Sequence, residues 1–234
     1  MANKTLYHFG FVFFLLQILC IMECNAQVKL RNGNLGVRLG LNAVSIKSYE
    51  AYHGDEILPN SSFINKNGYL VTAFARFNMK RIFLQPELAW NEYNRTFSFS
   101  LPSENYEGYS QPYELNINSS AISANFLAGY NIVNDHPFLF GIYTGAALKG
   151  IYRNKYTLEL EPEELYTKKD LFLNFSFILG VSINISKIYF DLRYEMGLPN
   201  DLILNKIPDF PERYQNVKLK MTESILSFSC GVMF

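Results

Sequence analysis

Apolar and polar positions alternate with a period of two along most of this chain. In "KDLFLNFSFILGVSINIS", Leu171, Leu173, Phe175, Phe177, Leu179, Val181, Ile183 and Ile185 alternate with Asp170, Phe172, Asn174, Ser176, Ile178, Gly180, Ser182 and Asn184. In an extended strand that spacing puts the first set on one face. "KIYFDLRYEM" repeats the pattern, with Ile188, Phe190, Leu192, Tyr194 and Met196 opposite Lys187, Tyr189, Asp191, Arg193 and Glu195. "SILSFSCGVMF" sets Leu226, Phe228, Cys230, Val232 and Phe234 against Ser227, Ser229 and Gly231. The alternation predicts eight strands, at about 34–46, 68–79, 81–99, 114–133, 137–156, 169–185, 187–198 and 216–234. No stretch beyond residue 26 shows a 3.6-residue period. The connections alternate long and short: 47–67, "MKR", "LPSENYEGYSQPY", "VNDHP", "LELEPEELYTKK", "SK" and 199–215. Long loops at one end and tight turns at the other describe an up-and-down meander of the outer-membrane type.

A soluble eight-stranded barrel also alternates, so the polarity of the two faces decides between them. One face here is apolar and free of charge. The other carries Gly36, Arg38, Gly40 and Asn42 in the first strand, and Gln85, Glu87, Ala89 and Asn91 in the third. The fifth strand gives Gly141, Tyr143, Gly145, Ala147 and Lys149, and the seventh Asp191, Arg193 and Glu195. Small residues with isolated charges suit a narrow filled lumen, whereas a water-facing surface would be dense in Lys and Glu. The expected fold is therefore all-β: an eight-stranded antiparallel up-and-down transmembrane β-barrel with short periplasmic turns and long extracellular loops. Hydrocarbon demands that no sheet edge stay open, so the first strand must pair with the last. Arg38, Glu87, Asp191, Arg193 and Glu195 are the candidate lumen network, since inward charges satisfy one another only as a group. Trp90, Phe97, Tyr130, Phe138 and Tyr194 are expected as interfacial girdles. Pro86, which cannot donate to a ladder, predicts a bulge or a missing bond.

Composition changes this picture at the N-terminus. Lys4 precedes an apolar run from Phe9 to Met22, and "CNA" closes with small residues. Residues 1–26 read as a cleaved signal peptide, cut between Ala26 and Gln27, because the run is too short to span a bilayer. That leaves residues 27–234 as the outer-membrane β-barrel domain and Cys230 as its single cysteine, with no disulfide framework. Lys plus Arg equals Asp plus Glu at 21 each, which gives no electrostatic footprint for nucleic acid.

The ending "NAQ", the strand "LGVRLGLN", the strand "IFLQPELAW" and the terminal aromatic together resemble the PorT-like outer-membrane β-barrel family, over essentially the whole mature chain. The resemblance implies an eight-stranded barrel in the outer membrane and makes Phe234 the aromatic that the barrel-assembly machinery recognises. Most members have no assigned activity, and the founding member is implicated in secretion of proteins across the outer membrane.

Candidate chemistry is sparse. His53 lies near Asp55 and Glu56, where a catalytic pair at the barrel mouth is conceivable, but a solvated loop is the plainer reading. His136 beside Asp135 and Pro137 is ordinary turn chemistry. Glu159, Glu161, Glu163 and Glu164 lack the Asp/Asn/Gly pattern of a calcium loop. No nucleophile elbow or phosphate loop occurs. The loops carry Tyr49, Tyr52, Phe63, Tyr106, Tyr109, Tyr113, Tyr166, Phe210 and Tyr214, suited to protein or glycan contact or to ordering the loops themselves. The expectation is a non-enzymatic barrel with no cofactor, structural or binding, or accessory to a membrane complex such as one for secretion. Its partners would be outer-membrane lipid, the assembly machinery and an extracellular or membrane-complex protein. An outer-membrane enzyme with a loop-borne site and a soluble periplasmic ligand-binding barrel are the alternatives.

Overall fold

The computed structural model describes residues 33–53, 56–58, 62–100, 113–158, 164–168, 172–198, 200–203 and 217–234, so the expected signal peptide lies outside the described residues. Eight long strands form the wall: β1 Gly33–His53, β2 Asn67–Met79, β3 Ile82–Phe99, β4 Tyr113–Asp135, β5 Phe138–Leu158, β6 Phe172–Ile185, β7 Ile188–Gly197 and β8 Val217–Met233. Each pairs antiparallel with the next. β1 then pairs with β8, from Gly36 opposite Met233 to His53 opposite Val217, and the sheet closes. Two-residue turns at Lys80–Arg81, His136–Pro137 and Ser186–Lys187 join the strands at one end. Lys80 and Ser186 supply the left-handed backbone that such hairpins need, with φ of 60° and 56°.

The other end is more regular than expected. β1 runs seven residues past its predicted limit, so His53 is a strand residue and not a loop residue. A bulge between Ile46 and Ser48 shifts the alternation by one, leaving Lys47 without a partner on β8 and bringing Ala51 to the buried side. A phase change of that kind hides the strand from a period-two reading. Short strands extend the hairpins beyond the wall: Glu56–Ile57 on β1, Ser62–Asn65 on β3, Glu164–Lys168 on β5 and Asn200–Ile203 on β8. At Pro86 the ladder has a gap and no bulge. Pairing of β2 with β3 stops after Phe74 with Glu87 and resumes in unchanged register at Phe77 with Leu84.

Burial follows the alternation. Leu35, Leu39, Leu41, Phe126, Leu173, Phe175, Phe177, Leu226 and Phe228 are exposed on the outside, while Arg38, Glu87, Asp191 and Arg193 are buried inside. A polar interior within an apolar wall is the arrangement that hydrocarbon selects. Trp90 and Tyr69 pack edge to face on this wall, and Trp90 Nε1 donates to Tyr152 Oη at 3.0 Å. At the turn end Arg81 donates to Tyr130 Oη at 3.2 Å. Phe97, expected in a girdle, is instead fully buried inside against the ring of Phe63. Its odd position shares the inward phase of Tyr93 and Arg95.

The lumen is filled in layers. Phe74, Tyr189 and Met233 pack together toward the turn end, as do Phe83, Leu127, Tyr143, Ala147 and Ile178. Three of these rings lie over glycines directly opposite them on the neighbouring strand: Phe74 over Gly36, Phe83 over Gly129 and Tyr143 over Gly180. A Cβ at any of the three would strike the ring, so the glycines make the space that the aromatics occupy. Toward the loop end Val44, Tyr93, Ala121, Ile151 and Ile225 form a further layer.

We expect Phe126→Arg to lower the stability of the inserted barrel by about 2–4 kcal/mol, and Asn118→Arg, on the same face eight residues nearer the loops, by less than about 1 kcal/mol. Urea unfolding from lipid vesicles, read by heat-dependent gel mobility, measures both. Equal losses would mean that the two positions do not differ in membrane depth.

Candidate functional site: the charged lumen

Inward positions on five wall strands converge at mid-barrel. Glu87 of β3 is the hub. Arg38 Nη2 of β1 donates to Glu87 Oε2 at 2.8 Å, and Arg193 of β7 donates to both carboxylate oxygens, at 3.0 and 3.2 Å. Asn125 of β4 adds a bond at 3.0 Å and Gln85 another at 2.8 Å. Asp191, two residues from Arg193 on the same face, accepts from Arg193 Nε at 2.9 Å and from Tyr143 Oη of β5 at 2.5 Å. Arg38 Nη1 stands 3.6 Å from Asp191 and completes the ring of charges. Rings of Phe74 and Tyr189 flank the Arg38 guanidinium at 5.5 and 5.9 Å, adding cation–π attraction where water is excluded. The carboxylates are bonded several times over, which is the condition under which buried charge is tolerated.

The sequence-derived network is therefore brought together in four of its five members. Arg38, Glu87, Asp191 and Arg193 form one cluster. Glu195 stands apart from it, paired with Lys149 Nζ at 2.6 Å and with Ser176 Oγ at 2.5 Å. The reason is register: Glu195 lies one inward step beyond Arg193 along β7, where the nearest cation comes from β5. Further toward the loops Arg95 pairs with Glu223. Toward the turns Arg76 has no carboxylate among the described residues. It donates to Asn131 at 2.6 Å and Ser182 at 3.3 Å, and it lies 3.5 Å above the Phe83 ring.

The sequence pattern puts Gln85, Tyr143 and Lys149 on inward faces but does not join them to the network, and it does not single out Arg76, Asn125 or Tyr189. All six occupy the inward phase of their strands, so the alternation that marks Arg38 and Glu87 marks them too. Phe234 lies on the outer face, and its backbone N–H donates to Leu35 O at 2.7 Å beside the β1–β8 seam. His53 stands opposite Val217 and Glu56 in the sheet, and Asp55 is outside the described residues. His136 is exposed in its turn. Of the acidic run, Glu159, Glu161 and Glu163 also lie outside them, as do Tyr106, Tyr109, Phe210 and Tyr214. Among the described residues no three His, Cys, Asp or Glu side chains are grouped to hold a metal ion.

Comparison with known proteins bears on the wall more than on this cluster. OprG, an outer membrane protein from Pseudomonas aeruginosa, superposes with a TM-score of 0.51 at 11% identity, covering 87% of this chain and 97% of that one. Ail, the attachment invasion locus protein of Yersinia pestis solved with the heparin analogue sucrose octasulfate, gives 0.40 at 11%, covering 87% and 100%. Neisserial surface protein A gives 0.36 at 14%, covering 84% and 98%. No protein of curated function matches the sequence. The family described as "Outer membrane protein beta-barrel domain" matches residues 25–202. With a closed antiparallel wall, an apolar outer belt and a match over most of its length, the chain belongs to the outer membrane protein β-barrel domain family and resides in the outer membrane.

Proposed function

We propose that this protein is a non-enzymatic outer-membrane barrel of the PorT-like type, with a sealed lumen, whose loop end serves as a binding platform for a protein partner or within a membrane complex. One observation carries the reading: the Arg38–Glu87–Arg193–Asp191 cluster ties β1, β3 and β7 together across the lumen and fills it with engaged side chains. The PorT-like assignment rests on the resemblance. "LGVRLGLN" and "IFLQPELAW", the two segments that bear the resemblance, meet through Arg38 and Glu87 at 2.8 Å. Glu87, Asp191, Glu195 and Glu223 each stand in an ion pair with a lumen Arg or Lys, so none of them is left as an unpaired acid for proton transfer. A role beside a secretion complex rests on the resemblance, and contact with the assembly machinery is read at Phe234, which faces lipid at the seam rim.

The purified protein in planar bilayers is expected to show no discrete ion conductance, and a stable open channel would sink the sealed-lumen reading. Glu87→Ala leaves two buried guanidiniums sharing Asp191 as their one carboxylate and should cost about 3–5 kcal/mol in unfolding experiments. Replacing both partners of the neighbouring pair, as Lys149→Met with Glu195→Leu, should cost less than either single change, because no uncompensated charge is left inside. Phe234→Ala should lower the amount of heat-modifiable barrel in the outer membrane while leaving the stability of the folded fraction unchanged. An unaltered yield removes the assembly role.

A further inference from the structure

The outer face of β3, β4 and β5 changes character just beyond Trp90 and Tyr152. A polar recess of roughly 310 Å³ opens there, lined by Glu92, Asn94, Asn118, Ser120, Arg153 and Lys155 above the ring of Tyr69. These side chains point outward. Glu92 and Asn94 share the outward phase of Trp90, and Asn118 and Ser120 that of Ile122. Arg153 and Lys155 reach the same face because the register slips between Ser120 and Ala121, after Tyr152. The recess is thus outside the lumen and separate from the charge cluster.

Its depth identifies what it meets. Glu92 is two residues beyond Trp90, about 7 Å along the strand. The girdle of Tyr69, Trp90 and Tyr152 marks the edge of the hydrocarbon. A headgroup layer of roughly 5–8 Å lies on each side of a 30 Å apolar core, so the recess opens into the headgroups of the outer leaflet. Its chemistry is that of an anion site. Ser120 Oγ donates to Glu92 Oε1 at 2.6 Å, and Arg153 donates to Ser120 Oγ from Nε at 3.1 Å and from Nη2 at 2.8 Å. Arg153 Nη2 is also 3.5 Å from Glu92 Oε1. Glu92 and Ser120 are buried under this chain of bonds and hold the guanidinium in place, while the Arg153 side chain stays 39% exposed. Lys155 stands one outward step further along β5, so two cations face one carboxylate. Asn118 lines the recess beside them, as does Asn94, whose Nδ2 donates to Asn67 O at 2.9 Å.

We propose that this recess binds the phosphate of an anionic lipid headgroup in the outer leaflet, with Arg153 and Lys155 as its charged donors, Glu92 and Ser120 positioning Arg153, and Tyr69 meeting the apolar part of the same lipid. With Nε and Nη2 committed to Ser120 and Glu92, the Nη1 edge of the fixed guanidinium is left to donate to a phosphate oxygen, and a lysine beside it adds a point charge. The source is a membrane lipid and not a soluble anion, because the recess sits directly above the girdle and opens along the wall.

The test titrates the full chain in detergent micelles with diphosphoryl lipid A and with its dephosphorylated form, scoring bound lipid by native mass spectrometry. Wild type should retain the phosphorylated lipid in preference. Arg153→Ala with Lys155→Ala should weaken that binding about tenfold or more, with heat-modifiability intact. Lys155→Glu alone should also weaken it, and gives a reading should the double variant fold poorly. Lys187→Ala, at the turn end, should bind as wild type. Equal binding of the dephosphorylated lipid, or unchanged binding in the charge variants, would overturn the proposal. So would displacement of the lipid by millimolar inorganic phosphate, which would make the recess a soluble-anion site.

Discussion

Every backbone N–H and C=O inside hydrocarbon must find its partner within the protein, and in this chain the pairing of β1 with β8 closes the account. Without it each of those strands would present a row of unsatisfied groups to lipid, at several kcal/mol apiece. The seam runs from Gly36 opposite Met233 to His53 opposite Val217 and is extended by the bond from Phe234 N to Leu35 O. Closure also fixes which face is which. Once the ring is complete, a residue's parity along its strand decides whether it meets lipid or lumen, and a slip of one residue would turn Leu39 inward and Arg38 into the bilayer. The gap at Pro86 leaves register intact on both sides for this reason.

A ring of eight strands has an interior only wide enough for side chains, and filling it sets the second constraint. The inner face cannot be made wholly apolar, because strands apolar on both faces would approach the long continuous runs that read as membrane helices. Charges therefore enter, and each must be compensated. Glu87, reached from β1, β4 and β7, shows the solution: one carboxylate holds two guanidiniums and an amide. Glycines opposite Phe74, Phe83 and Tyr143 solve the matching problem of volume, setting large rings against bare backbone so that the layers interdigitate. Arg76 is compensated by carbonyl, hydroxyl and ring in place of a carboxylate.

What could be read from the residues divides along the same lines. Period two carried the eight strands, the closing pair and the inward placement of Arg38, Glu87, Asp191 and Arg193, because parity is a local property of the chain. Which inward residues touch depends on the stagger between strands, which is not local. Glu87 and Arg193 are 106 residues apart, and Glu195 found Lys149 because of that stagger. Bulges were the second blind spot. The extra residue near Lys47 reversed the phase of β1, and the slip near Tyr152 turned Arg153 and Lys155 outward. Phe97 departs from expectation for a third reason: nearness to a strand end suggests a girdle residue, but its parity puts it inside.

The case of Phe97 points to a change of solvent partway along one continuous wall. Between the turns and Trp90 the outer face is apolar, and the buried charge cluster lies inside among aromatic and aliphatic layers. Beyond Trp90 the order inverts, with Phe97, Phe99, Leu115, Ile117, Tyr156 and Met221 buried inside and Glu92, Asn94, Asn118, Arg153 and Lys155 outside. The lower half of the wall is thus built for lipid, and the upper half has the polar outside and the apolar layers of a soluble barrel, with the Arg95–Glu223 pair buried among them. The hydrogen-bonded sheet passes through the girdle without a break, so the membrane half anchors the soluble half, and the short strands at Ser62–Asn65, Glu164–Lys168 and Asn200–Ile203 extend that core outward. The described rim of the barrel is thus a packed scaffold continuous with the membrane wall, and a contact made on such a surface carries a low ordering cost.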